Sequence, residues 1–263
     1  MPALATDEVA RHPITQATTA TFADLYLRVA FLFFIQTGSK EMRTPSETFV
    51  AEEGDLLVCP PGSMVTMENR PVLGRSYRAV GLSFPDPMVR AVFAGGSSRT
   101  AGNSIQLLRG AEHQPMDILP IIEETLQNQS LPPVIKQNRL AEPLLWLKAK
   151  GLHLSVPCQE APMSRVRRLI ETDLSHPWRA SEAAQHLAMS EPTLRRVLAN
   201  GGQGFAKILL HTRLERGLGL LQTSEVAISE IALRCGFKTP SHFSDAFRKR
   251  FGIRPREIRS PGD

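Results

Sequence analysis

The segment "ISEIALRCGFKTPSHFSDAFRKRFGIRP" (Ile228 to Pro255) is compatible with very few folds. Phe243, Phe247 and Phe251 recur every four residues, and residues four apart share one helix face. With Ala246 they form an apolar stripe, while Ser241, His242, Asp245, Arg248 and Lys249 fall largely on the other side. Thr239 is placed to cap this helix, Pro240 takes the first position, where a missing N–H costs nothing, and Gly252 ends it. Upstream, Ile228, Ile231 and Ala232 mark a shorter amphipathic helix that Gly236 closes. An alanine followed four residues later by a glycine is the signature of a helix-turn-helix. The alanine lets the two helices touch, and the glycine takes a backbone angle that a side chain resists.

A looser copy precedes it, in "RASEAAQHLAMSEPTLRRVLANGG" (Arg179 to Gly202). Ala183, Ala184 and Leu187 share a face, Ala188 stands where the turn glycine would be, and Ser190 is placed to cap a second helix. The inner face of that helix is Leu194, Val197 and Leu198, and its outer face is Pro192, Arg195, Arg196 and Ala199. The second helices of the two motifs start roughly 50 residues apart. Between them "FAKILLHTRLERGLGLLQTS" reads as one joining helix, with Leu209, Leu210, Leu214, Leu218 and Leu221 as its apolar residues.

Charge is distributed to match. The net charge is +5, but from Met163 onward there are 17 Lys+Arg against 10 Asp+Glu, a net of +7, and the preceding 162 residues carry a net of −2. A positive field confined to the C-terminal third is what a nucleic-acid-binding domain requires. A basic tail is the plainer alternative, and the regular apolar periodicity argues against it. With 42% hydrophobic and 22% charged residues the chain is expected to be globular. "LRVAFLFFI" is too short to span a membrane, and the N-terminus lacks the basic start and apolar core of a secretory signal. Cys59, Cys158 and Cys235 have no metal-binding spacing and suit a reducing compartment, the cytoplasm.

Two helix-turn-helix units in about 100 residues, joined by a helix, resemble the DNA-binding domain of the AraC/XylS family of transcription regulators. The match runs from Val166 to Ile258 and is strongest in "EIALRCGFKTPSHFSDAFRKRFGIRP". It departs from the family's commonest choices at Arg179, Ala188 and "ANGGQGF". The resemblance implies that both second helices enter successive major grooves on one face of double-stranded DNA. It also implies that the protein is an activator working with RNA polymerase rather than an enzyme. Carried over by position, the DNA-facing residues are Pro192, Thr193, Arg195 and Arg196 in the first motif and Thr239, Ser241, His242 and Asp245 in the second. Arg195 or Arg196 is suited to a bidentate contact with guanine. Asp245 either accepts from a cytosine amine or pairs with Arg248 or Lys249, the favoured reading. Arg248 and Lys249 are expected to meet phosphates.

The front of the chain reads as strands and turns, in "LYLRVAFLFFIQ", "EEGDLLVCPPGSMVTMEN" and "YRAVGLSF". Gly54, Pro60 and Gly62 resemble the second half-motif of a cupin β-barrel, but Val65 replaces its metal-binding histidine, while Asn69 holds the later asparagine position. The expectation is a cupin-like barrel with no metal and no cofactor, an apolar interior, and a sensor role, as is usual in the resembled family. Lys40 and Arg43 are either solvated turn charges or partners of a ligand carboxylate. The barrel and the His176-Pro177-Trp178 spacing are also similar to virulence regulators that respond to fatty acids, which implies an apolar carboxylate ligand. The alternatives are a barrel that binds a protein partner instead, and a cupin-type enzyme fused to the DNA-binding module, which the lack of metal ligands and of a nucleophile–base pair argues against.

Ile118, Ile121, Ile122 and Leu126, then Ile135, Leu140, Leu144, Leu145 and Leu147, give two amphipathic helices behind the barrel. They serve either as a homodimer contact or as packing for the barrel. The expected fold is therefore α+β. It comprises a cupin-like sensor domain with a helical rear over residues 1–154, a linker over 155–164, and an all-α DNA-binding domain over 165–263. Its helix-turn-helix units fall near 180–200 and 228–251.

Overall fold

The computed structural model describes residues 8–94, 104–157 and 160–260. Cys158 and the first seven residues, on which some expectations rest, lie outside the described residues. The front holds strands β1 (Ala10–Gln16), β2 (Ala20–Leu27), β3 (Ala30–Thr37), β4 (Ser39–Arg43), β5 (Thr48–Ala51), β6 (Leu56–Cys59), β7 (Ser63–Arg70) and β8 (Tyr77–Phe84). Helix α1 (Asp86–Phe93) and strand β9 (Gln106–Leu108) follow. One sheet has the order β1-β8-β3-β6-β9 and the other β2-β7-β4-β5. In the first, β3 runs antiparallel to both β6 and β8, so that Phe33 faces Leu57 on one side and Gly81 on the other.

Side chains alternate across a strand, and the central strand is buried on both faces, which is why "FLFF" shows no polar alternation. Leu32, Phe34, Leu56, Val58, Val80, Leu82 and Phe84 form one core with the helices behind the sheet. These helices are α1, α3 (Leu119–Gln127) and α4 (Pro133–Ala149), contributing Val89, Ile122, Leu140, Leu144 and Leu147, while the short α2 (Gly110–His113) buries no residue. Burying each such Leu, Ile or Phe stabilises the fold by about 1.5–3 kcal/mol. The expected apolar faces need correcting at three positions. Ile121, Ile135 and Leu145 are 41%, 41% and 48% exposed. Periodicity marked them as apolar without showing that a helix lying on a sheet buries only a narrow strip.

The remaining helices are α5 (Pro162–Thr172), α6 (Ala180–His186), α7 (Glu191–Asn200), α8 (Phe205–Thr223), α9 (Ile228–Arg234), α10 (Pro240–Phe251) and α11 (Pro255–Arg259). By their contacts, Thr15–Ala23 belong with this C-terminal unit. The Ala17 N–H donates to the Ile258 carbonyl at 2.8 Å, and the Thr18 hydroxyl donates to the Glu257 carbonyl at 2.6 Å. Helix α5 begins inside the stretch expected to be linker, because Val166, Arg167 and Ile170 find partners to bury against. Val166, Ile170, Ala183, Ala184, Leu187, Leu194, Leu198 and Ile208 make the core of the first helix-turn-helix. On α8 the buried face is Ile208, His211, Thr212, Leu214, Gly217, Leu218, Leu220 and Leu221, whereas Leu210 is exposed.

Candidate nucleic-acid interface

Helices α6 and α7 form the first helix-turn-helix and α9 and α10 the second. Both second helices are capped as their sequences require: the Ser190 hydroxyl accepts from the Thr193 N–H at 3.3 Å, and the Thr239 hydroxyl from the His242 N–H at 3.2 Å. The turn between α9 and α10 needs its glycine. Gly236 has φ +77°, and a Cβ there would lie 2.1 Å from the Leu174 carbonyl oxygen. The first motif reaches the same left-handed geometry with Ala188 at φ +55°, a conformation that strains a side chain by about 1–2 kcal/mol.

Phe243, Phe247 and Phe251 are buried, with successive ring centroids 5.5 and 4.7 Å apart. The opposite face of α10 carries Ser241, His242, Asp245, Arg248 and Lys249, all exposed, and Thr239 is exposed at its start. On α7, Pro192, Arg195 and Arg196 are exposed and Thr193 is half-buried, its hydroxyl 2.8 Å from that of Ser190. Arg195 is engaged by Glu191 one turn earlier, at 2.6 Å, an exposed pair worth only about 0.3–0.5 kcal/mol. Arg196 is exposed. The favoured pairing of Asp245 is corrected: it is exposed, and among the described residues it forms no ion pair with Arg248 or Lys249. Both cations are exposed too, so water competes with any such contact.

Behind these faces lies a charge cluster that sequence reading missed. Glu215 on α8 accepts from Arg167 on α5 at 2.5 and 3.3 Å and lies 3.7 Å from Arg250 on α10. Side-chain exposures are 3% for Arg167, 14% for Glu215 and 11% for Arg250. Two residues before Glu215, Arg213 donates to the carbonyls of Leu174 and His176 at 2.9 and 2.8 Å. Three residues on three helices, at separations of 48 and 35 positions, leave no local pattern to read.

In the front unit, Lys40 is not a turn charge. It lies on β4, is 1% exposed, and points between the two sheets. Its Nζ donates to Asn69 Oδ1 at 2.5 Å and to Met67 Sδ at 3.5 Å, and stands 4.6 Å from the Phe33 ring centroid and 5.4 Å from that of Tyr77. Asn69 is its direct partner across the β4–β7 register. Burial pushes the Lys40 amine down from 10.5 to about 7, and the charge of nearby Cys59 opposes that shift. Burial also pushes the Cys59 thiol up to about 12, so near neutral pH the thiol is uncharged and burial prevails. The hydroxyl of Tyr77, a fully buried residue, has no hydrogen-bond partner among the described residues. Arg43 lies elsewhere. It shares the outer face of β4 with Glu41, at 3.2 Å, in a ladder continued by Arg70, so Lys40 and Arg43 do not converge. Val65 is buried at the expected ligand position, and among the described residues no cluster of three His, Cys, Asp or Glu is placed to hold a metal. Among these residues no helix is long and apolar enough to cross a membrane.

Residues 183–260 match the family described as helix-turn-helix domain. The HTH-type transcriptional regulator YdeO of Shigella flexneri is 33% identical over 94 residues, 36% of this chain and 37% of that protein. The transcriptional regulator SirC of Salmonella typhimurium is 37% identical over 91 residues, 35% of this chain and 31% of that one. The chain thus spans about a third of the length of the curated relatives it matches. The structure of ToxT from Vibrio cholerae with unsaturated fatty acid bound covers 95% of this chain and 93% of its own, with a TM-score of 0.65 and 16% identity. An apo ToxT variant covers 98% of both chains with a TM-score of 0.67. The curated relatives are transcription regulators, not enzymes. This chain carries a helix-turn-helix domain at its C-terminus, and its fold, a β-rich front followed by helices and then an all-helical domain, is similar to that of ToxT.

Proposed function

We propose that the protein is a sequence-specific transcription activator that binds double-stranded DNA through α7 and α10 in the cytoplasm. The observation that carries this reading is the pair of capped helices, each with a buried apolar stripe and a polar outer face, in a region of net charge +7. In this reading Arg196 reads a base edge and Arg195 joins it once released from Glu191. Pro192, Thr193, Thr239, Ser241, His242 and Asp245 line the grooves, and Arg248 and Lys249 hold phosphates. RNA polymerase is the partner at the promoter. Exposed Ile121, Ile135 and Leu145 supply a homodimer contact.

The front unit senses an apolar carboxylate, which Lys40 holds between the sheets. The buried amine and the unpartnered Tyr77 hydroxyl support this, as does the fatty acid named for the bound ToxT structure. The test is binding of duplex DNA by a fragment starting at Met163. Neutralising about six phosphates makes affinity fall on the order of 10³-fold between low and moderate salt. Equal affinity for all duplex sequences would refute the reading.

A further inference from the structure

Each helix-turn-helix has its own apolar core, and both pack on α8. What fixes the two reading helices relative to each other is therefore a question about α8. Its buried polar groups reach both ways. Glu215 takes Arg167 from α5, on the side of the first motif, and Arg250 from the last turn of α10 in the second. Arg213 holds the Leu174 and His176 carbonyls, and the Gly236 turn of the second motif lies directly against that guanidinium, with a Cβ there only 2.9 Å from its atoms. A buried ion cluster is a poor source of stability, because desolvating the charges offsets their attraction. Its strength is geometric: a planar guanidinium on a carboxylate accepts few orientations. Arg250 also adjoins Phe251, its guanidinium carbon 5.3 Å from the ring centroid, at the end of the stripe that seats α10.

We infer that Glu215 is a specificity-determining residue of the DNA interface: through Arg167 and Arg250 it sets the separation and phase of α7 and α10, and hence the spacing of the two half-sites the protein accepts. DNA offers equivalent groove positions one helical turn apart. A one-base-pair insertion therefore rotates one half-site away from its reading helix, and a rigid brace converts that rotation into lost affinity. The inference rests on DNA being read by both motifs.

The experiment uses the full chain. Sites are selected from a pool of random duplexes with the parent protein, and affinities are then measured for a selected site and for versions with one base pair inserted or removed between its halves. The parent is expected to lose about tenfold or more on either change, in keeping with one lost groove contact. Glu215→Gln keeps the shape and removes the charge. It is expected to lose no more than about threefold on the same changes, less than a single mismatched base pair costs, and to bind the unaltered site more weakly. Arg250→Gln leaves the Arg167–Glu215 pair intact and is expected to relax spacing in the same way. It decides the matter if thermal melting shows Glu215→Gln to be unfolded. A folded variant that keeps the full parental spacing penalty overturns the inference and leaves DNA binding standing. A parent that selects no site, or sites with one half only, overturns both.

Discussion

Replacing Lys40 by methionine should stabilise the protein, in a pH-dependent way that follows from its burial. Lys40 is 1% exposed, and its amine is lowered from 10.5 to about 7. At pH 7 that shift corresponds to about 4 kcal/mol of stability lost to burying an amine. Lys40→Met removes this cost and the hydrogen bond to Asn69, whose unpaired oxygen then costs about 1–3 kcal/mol. The net expectation is a gain of about 2 kcal/mol at neutral pH.

The sign of the pH dependence is fixed by proton counting. Between about pH 7 and 10.5 the unfolded chain keeps the Lys40 proton and the folded chain has released it. Stability of the parent therefore rises with pH, by about 1.4 kcal/mol per unit at most, and the variant lacks this slope. Its advantage is largest near pH 6 and shrinks steadily as pH rises towards about 9. The comparison stops below about pH 9, because the Cys59 thiol, held up at about 12 in the fold, ionises in the unfolded chain from there upward and lowers the stability of both proteins. Urea denaturation of parent and variant at several pH values in this window reads the difference directly. A constant difference across the window, or a variant less stable at every pH, would show that Lys40 is hydrated or charged in the folded protein and would refute the reasoning.

Other expectations concern the helical unit and the ligand. Arg196→Ala should weaken specific DNA binding by about 1–3 kcal/mol, read by gel shift, with the melting temperature unchanged. Phe247→Ala should cost about 3–5 kcal/mol of stability in denaturant, since Phe247 is fully buried between Phe243 and Phe251. Ala188→Gly should raise stability by about 1 kcal/mol, seen as a higher melting temperature, because it relieves the φ of +55°. A carboxylate held by Lys40 should bind more weakly as pH rises above about 7, by up to about tenfold per unit, in calorimetric titrations of a fatty acid.

The helix-turn-helix pair was legible because its information is local. Caps, turn residues and a four-residue apolar period all act within a few residues of chain, and Ser190, Thr239 and Gly236 each sit where sequence reading put them. That "LYLRVAFLFFIQ" holds strand was legible for the same reason, whereas the burial of β3 on both faces came from its central place in the sheet. Which face of α3 and α4 meets water was not, since it depends on the sheet they cover. Lys40 and Asn69 are 29 positions apart and look like ordinary polar residues. Only the β4–β7 register makes one the buried partner of the other. Arg43 has the same charge as Lys40 and lies three positions on, but the two-residue alternation of a strand sends it to the surface ladder. Arg167, Glu215 and Arg250 likewise become one cluster only after three helices have packed. The sequence by itself determined the helices, their caps and the sign of the charge they present, because short-range sterics and hydrogen bonds suffice for that. The tertiary structure alone decided which charges are buried and with whom, because desolvation and pairing depend on neighbours brought in from distant parts of the chain.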